Sequence, residues 1–289
     1  MAHHAHNRTG NPRAESSKAN PRRVSRVNAY RAAIHDHKVA RHSRRFKPGT
    51  RKRRRPHSNV WDRMPVSASA SGSNILARHD FDSGFDWHLQ SIAGRASLFS
   101  TGVFQGTGAG RFEVGDGDVE PETGSERSEV SGPTFDEGQD LYIRDAIRVS
   151  SASTYQGPWQ LIQQLHEENW NSSPGLAVFL DTKSSLKIGA GDSSQIFWQG
   201  PQLQRDRWYD LVYRVKLSQD PSVGFVEVWL DGAQQTLTNG QARAYGQTIQ
   251  MPQTYIKAGV YRSKSSTGTS IVDHDDIVVG TTLAAVMSG

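Results

Sequence analysis

The stretch Trp208–Ser218, WYDLVYRVKLS, sets Tyr209, Leu211, Tyr213, Val215 and Leu217 in alternation with Asp210, Val212, Arg214 and Lys216. A period of two suits a half-buried strand and no helix, because successive strand side chains point to opposite faces. DPSVG (Asp220–Gly224) then turns the chain and FVEVWL (Phe225–Leu230) runs back. Asp231-Gly232 is a hairpin signal, since a two-residue type I′ turn needs positive φ at both positions. AQQTL and Asn239-Gly240 follow, and further strands are expected in LYIRDAIRVS, LAVFLD, LKIGA, QIFWQG, TYIKAGVYR and HDDIVVG. No segment supports a helix longer than two turns. Many short strands at near-regular spacing predict one all-β domain over residues 66–289, a two-sheet antiparallel sandwich of the jelly-roll type.

Charge divides the chain in two. The first 60 residues hold 17 of the 34 Lys/Arg and only two acids, Glu15 and Asp36, a net of +15 that leaves −10 for the rest. Residues 1–65 lack apolar periodicity, so this arm is expected to be disordered in isolation, unable to offset its ordering entropy by burial. RKRRR (Arg51–Arg55) suits phosphates, so nucleic acid, another polyanion or a particle scaffold is an expected partner. A solvated tail is the rival reading. Seven arm histidines match no metal-site spacing. The chain has no cysteine, which excludes disulfides and thiolate chemistry, and no stretch approaches the roughly 20 apolar residues of a membrane span. The N-terminus does not read as a secretory signal, and SRRFK is followed by PGTRKRRR and no apolar run.

Three polar constellations lie on expected strands. In WQLIQQLHEENW (159–170), Gln164 and His166 share a face while Leu161 and Leu165 are expected on the other. In SERSEV (Ser125–Val130), Arg127 and Glu129 share a face. In YIKAGVYR (Tyr255–Arg262), Tyr255, Lys257, Gly259 and Tyr261 share a face, opposite Ile256, Ala258 and Val260, and Gly259 is expected to leave a ligand room to approach. Arg, Gln, His, Lys and Tyr together suit proton abstraction alpha to a uronate carboxylate. The carboxylate must be neutralised, a base must take the C5 proton, and an acid must protonate the departing O4.

The order Arg-Ser-Glu-Val, Gln-x-His, Tyr-x-Lys-Ala-Gly-Val-Tyr resembles the jelly-roll polysaccharide lyases: alginate lyases of this fold and the glucuronan lyase and heparin lyase I groups. FEVGDGD, VEVWLDG and DIVVG agree with it, over roughly Ile75 to Thr282. The resemblance implies a concanavalin-like jelly roll, β-eliminative cleavage of an anionic polysaccharide, and no required cofactor. It makes Arg127 and Gln164 the carboxylate binders, His166 the base or a second neutralising group, and Tyr261 the proton donor and a further candidate for the base. Lys257 would bind a neighbouring acidic sugar, with Glu129, Tyr255, Arg262 and Trp198 also lining the substrate groove. Alginate lyases usually continue Arg-Ser-Glu-Leu-Arg; Ser131 stands at that fifth position here, which weakens an alginate assignment.

Other chemistries find no support. The Glu-x-Asp-x-x-Glu run of glycoside hydrolases on this fold does not occur, and GTGAGR resembles a dinucleotide loop without its last glycine. No Gly-x-Ser-x-Gly elbow is present. GDGDVE (Gly115–Glu120) and DHDDI (Asp273–Ile277) could hold a structural calcium, with Asp276 the expected ligand. Trp159, Trp170, Trp198, Trp208 and Trp229 are expected mostly in the core, Trp198 being the best placed to reach the groove. The alternative to a lyase is a non-catalytic glycan-binding module or a virion decoration protein that keeps the fold. An extracellular or virion-associated location is expected for either.

Overall fold

A computed structural model describes residues 74–168 and 172–288; the readings of the arm and of Trp170 lie outside the described residues. The described residues begin with β1 (Ile75–His79), β2 (His88–Gln90), β3 (Ala96–Phe99), β4 (Ala109–Val114) and β5 (Val119–Glu120). Long strands follow: β6 (Ser125–Asp136), β7 (Asp140–Val149), β8 (Gln160–His166), β9 (Leu176–Leu180), β10 (Ser185–Gly189) and β11 (Ile196–Gln202). The rest are β12 (Trp208–Lys216), β13 (Phe225–Leu230), β14 (Ala233–Gln234), β15 (Ala244–Tyr245), β16 (Gln253–Arg262) and β17 (Ser270–Gly280). A five-residue helix, α1 (Leu283–Met287), follows β17, its Thr282 hydroxyl accepting from the Ala285 N–H.

These strands form two antiparallel sheets. One runs β14-β13-β12-β7-β17-β4-β3, with β1 on β17 and β15 on β13. The other runs β11-β10-β9-β8-β16-β6-β2. The all-β sandwich expected from the alternation is therefore the fold. Tyr209, Leu211, Tyr213, Val215 and Leu217 all enter the main core, as the period of two in their segment requires. They meet Ile162 and Leu165 of β8 and Ile256 and Val260 of β16. Each such side chain removed from water contributes about 1.5–3 kcal/mol. Asp231 and Gly232 both have positive φ, 50° and 77°, and close the β13–β14 hairpin by pairing Leu230 with Ala233. No helix among the described residues is long and apolar enough to cross a membrane.

The second sheet is bent where β8 and β16 meet. Leu161 pairs with Phe179 and Gln163 with Val178, so β8 carries one extra residue against β9. Ile162 and Gln163 consequently both face inward, and the phase of the strand reverses. Leu161 thereby lies on the same face as Tyr261, its β16 partner, and packs with Ala177, Phe179 and Trp159. The expectation that Leu161 opposes Gln164 fails for this reason, a bulge, whereas Gln164 and His166 do share a face. On β16 the pairing to β8 passes from Ala258–Gln163 to Tyr261–Leu161 across a second irregularity. Gly259 sits within it at φ +135°, and a Cβ there would approach the Ser128 carbonyl oxygen to 2.3 Å. Glycine is required by the backbone; the room expected for a ligand is filled by the neighbouring strand.

Candidate active site

Three adjacent strands, β8, β16 and β6, bring the sequence-predicted groups together. Cross-strand pairing sets Lys257 beside Gln164 and Ser131, Gly259 beside Glu129, Tyr261 beside Arg127, and Tyr255 beside His166. At the centre is the Glu129 carboxylate, which has no exposed surface. Lys257 Nζ donates to its Oε2 at 2.7 Å and Arg127 Nη1 to the same oxygen at 3.1 Å. Gln164 Nε2 donates to Oε1 at 2.5 Å.

This cluster holds two cations and one anion, so it carries a net positive charge. Burial pushes the Glu129 carboxyl up, but the charges of Lys257 and Arg127 outweigh it and hold it below the ordinary carboxylate range. Burial pulls the Lys257 ammonium down to about 8, against the Glu129 charge and helped by Arg127. Two polar atoms of the cluster are buried and unpartnered: Arg127 Nε and Gln164 Oε1. Such orphans are rare inside proteins.

Around the cluster stand four half-buried rings. Arg127 lies over the Tyr261 ring, 4.1 Å from its centroid, and Trp159 meets Tyr261 edge-on at 5.0 Å. His166 lies 5.7 Å from the Tyr255 ring, and its Nδ1 is 2.9 Å from the Glu167 backbone carbonyl. A carbonyl oxygen can only accept, so Nδ1 carries the proton. Burial, then the charge of Lys257, pulls His166 down to about 4. The ring is thus neutral at pH 7 with its lone pair on Nε2, the form a general base requires.

Four expected roles meet a different geometry. Lys257 is fully buried with its ammonium on Glu129, so it does not present that ammonium to a neighbouring sugar. Glu129 is likewise enclosed; it orients the donors, and an acid on the open face would repel an acidic polymer. Arg262 follows Tyr261 and so points away from the face, where it pairs with Glu126 at 2.9 Å and Asp116 at 3.3 Å with no exposed side chain. Trp198 is 1% exposed and belongs to the core; Trp159 supplies the ring beside the cluster.

Asp276 lies in the other sheet, on β17, ion-paired to Arg78 at 2.6 Å and Arg144 at 2.7 Å. A carboxylate held by two guanidiniums is not a cation ligand, which corrects the calcium expectation at that residue. In GDGDVE, Asp118 pairs with Arg95, and Glu120 accepts from the N–H groups of Glu122 and Thr123. Among the described residues no group of three or more His, Asp or Glu side chains is arranged to hold a metal ion. Gln90 was not anticipated: β2 sets it opposite Glu129, and its Oε1 is buried without a partner. Its three-residue strand carries no alternation long enough to read.

A family model described as "Polysaccharide lyase" matches residues 77–278. Among solved structures, the endo-β-1,4-glucuronan lyase from the fungus Trichoderma reesei superposes with a TM-score of 0.57 at 18% identity, covering 73% of this chain and 98% of that one. At this identity it shows the fold. An alginate lyase of polysaccharide lyase family 7 superposes at 0.44 with 13% identity over 61% of this chain and 79% of its own. An alginate lyase from Corynebacterium sp. gives 0.43 and 16% over 59% and 76%. These two scores carry no further argument. No curated protein sequence matches.

Proposed function

The chain belongs to the polysaccharide lyase family, and from that premise we propose that it cleaves a uronate-containing polysaccharide by β-elimination on the β6–β16–β8 face. The observation that carries the reading is the pairing of a cationic, partly unsatisfied cluster with a neutral histidine on one face. Arg127, whose side chain reaches the face, engages the carboxylate of the sugar at the cleavage site, with Gln164 enclosed behind it on Glu129. Drawing off that negative charge stabilises the enolate-like intermediate formed when C5 loses its proton. His166 Nε2 takes the proton, the C5 electron pair forms the C4–C5 double bond, and the C4–O4 bond breaks. Tyr261 Oη gives its proton to O4, and the Arg127 cation over its ring stabilises the phenolate left behind. Phenolate and imidazolium are then restored by proton exchange with solvent. Two protons change hands and no net oxidation or reduction occurs, so the step calls for no organic cofactor.

The test is the ultraviolet absorbance of the new double bond, conjugated with the carboxylate, on glucuronan, alginate, hyaluronan and heparin. Glucuronan is the favoured member, because the superposed fungal enzyme acts on it and Ser131 lacks the extra cation expected of an alginate site. A polymer that binds without yielding the unsaturated product would replace this reading with a glycan-binding one.

The pH dependence follows from the same groups. With His166 at about 4 and Lys257 at about 8, kcat/KM is expected to be bell-shaped with limbs near those values. Below the acid limb the base is protonated; above the alkaline limb the cluster loses a positive charge. An acid limb near 6.5, the ordinary histidine value, would remove His166 from the role of a buried base.

The substrate is an anionic polymer of cell exteriors, which supports an extracellular or particle-borne enzyme with residues 1–65 as a polyanion-binding element. Binding of nucleic acid that falls steeply with salt would support that role for the arm.

A further inference from the structure

We propose that His274, buried between the sheets, is a positioning residue: it holds the Gly259 carbonyl and so sets the bend of β16 between Lys257 and Tyr261. The proposal rests on the lyase reading of that face. The inward stripe of β7 runs Leu141, Ile143, Asp145, Ile147, Val149, a carboxylate in an apolar row. His274 of β17 answers it, with Nδ1 3.0 Å from both Asp145 oxygens, and Gln163 Nε2 donates to Asp145 at 2.8 Å. His274 Nε2 lies 3.3 Å from the Gly259 carbonyl oxygen. The Gly259 carbonyl can only accept, so Nε2 donates to it, and Nδ1 donates to Asp145 when that carboxyl, raised by burial against the charge of His274, is ionised. Burial alone would lower His274, but the Asp145 charge and hydrogen bond outweigh it and raise it.

Pairing of β16 with β8 skips Gly259 and Val260 while pairing with β6 continues, so the Gly259 carbonyl stands where the β8 ladder is interrupted, and His274 Nε2 meets it there. Phe112 fixes both sides of the contact: it meets the His274 ring edge-on at 5.6 Å, and its Cδ1 lies 3.1 Å from where a Gly259 Cβ would stand. Gly259 itself opposes Glu129 on β6, two residues from Lys257 and two from Tyr261. A shift of this peptide therefore moves Tyr261 against Arg127 and Lys257 against Glu129. Small displacements of that kind are costly in turnover.

Three variants separate positioning from simple stability. In His274→Gln the amide nitrogen can take the place of Nε2 and keep the bond to Gly259. In His274→Asn it takes the place of Nδ1 and keeps only Asp145. Both lose the ring, so both should lower Tm. The expected result is kcat within about tenfold of wild type for His274→Gln, and on the order of 10²-fold lower for His274→Asn at nearly unchanged KM. Asp145→Asn, whose amide can donate to Nδ1 and leave the Nε2 proton on Gly259, should keep kcat while losing Tm. Equal kcat losses for His274→Gln and His274→Asn, or kcat that simply follows Tm across all three, would overturn the proposal. So would an Asp145→Asn variant as slow as His274→Asn. Amide hydrogen exchange supplies a readout independent of activity: residues 253–262 should exchange faster in His274→Asn than in His274→Gln. If wild type makes no unsaturated product the lyase reading fails, while exchange still decides whether His274 holds β16. Should His274→Asn not fold, the exchange and kcat of His274→Gln and Asp145→Asn against wild type decide it.

Discussion

Tyr261→Phe is expected to lower kcat by about 10³-fold with KM changed by no more than about twofold. Phenylalanine keeps the ring that Arg127 covers at 4.1 Å and Trp159 meets at 5.0 Å, so packing and the carboxylate-binding cluster stay in place. Only the transferable proton is removed. The leaving O4 must then depart as an alkoxide or draw its proton from water, and the loss falls on the transition state alone. Tyr255→Phe is the matched control. Tyr255 stands beside His166, at 5.7 Å between rings, on the same strand and the same face. A small effect there with a large one at Tyr261 assigns the acid to Tyr261; the reverse outcome would exchange their roles. Rates of unsaturated-product formation over a range of substrate concentrations separate kcat from KM.

How far the residues alone foretold this site depends on what each one answers to. The alternation in Trp208–Lys216 and the Asp231-Gly232 turn are local properties of an extended chain, and both appear in the fold as read. The face carrying Arg127, Gln164, His166, Lys257 and Tyr261 was likewise legible, because the period of two places each within its own strand. What failed was depth and phase. Lys257 and Glu129 look like groove residues until the cross-strand pairing of Lys257 with Gln164 and Gly259 with Glu129 encloses them. Leu161 changes face because of one extra residue against β9, and nothing in QLIQQLH marks a bulge. Arg262 and Asp276 carry charges that imply exposure, yet each is neutralised by partners far away in sequence, Glu126 for one and Arg78 and Arg144 for the other. The Asp145–His274 pair had a signal of its own: an acid in the Leu141–Val149 stripe must find a buried partner. Which histidine or arginine would answer it is a matter of tertiary pairing.

Glu129→Ala is the second large effect, and it acts on stability before chemistry. The carboxylate accepts from Lys257, Arg127 and Gln164 in a site without solvent, so its removal strands a buried ammonium and part of a guanidinium. Breaking a buried pair from one side costs about 3–5 kcal/mol, because the remaining charge keeps its desolvation penalty and loses its partner. Lys257, already drawn to about 8 by burial, would fall further without the Glu129 charge and shed its proton near neutral pH. Replacing both partners, Glu129→Leu with Lys257→Met, removes the stranded charge along with the pair and should restore most of the stability. It should not restore turnover. Arg127 and Gln164 would lose the oxygens that aim them, and the cationic character of the face would rest on Arg127 alone. Denaturant midpoints and product rates measured on the same three proteins decide the matter. If Glu129→Ala is as stable as wild type, the cluster is not the buried ion pair described. If the double variant recovers rate as well as stability, Glu129 only balances the Lys257 charge, and the orientation of the carboxylate-binding groups arises from packing elsewhere in the sheet.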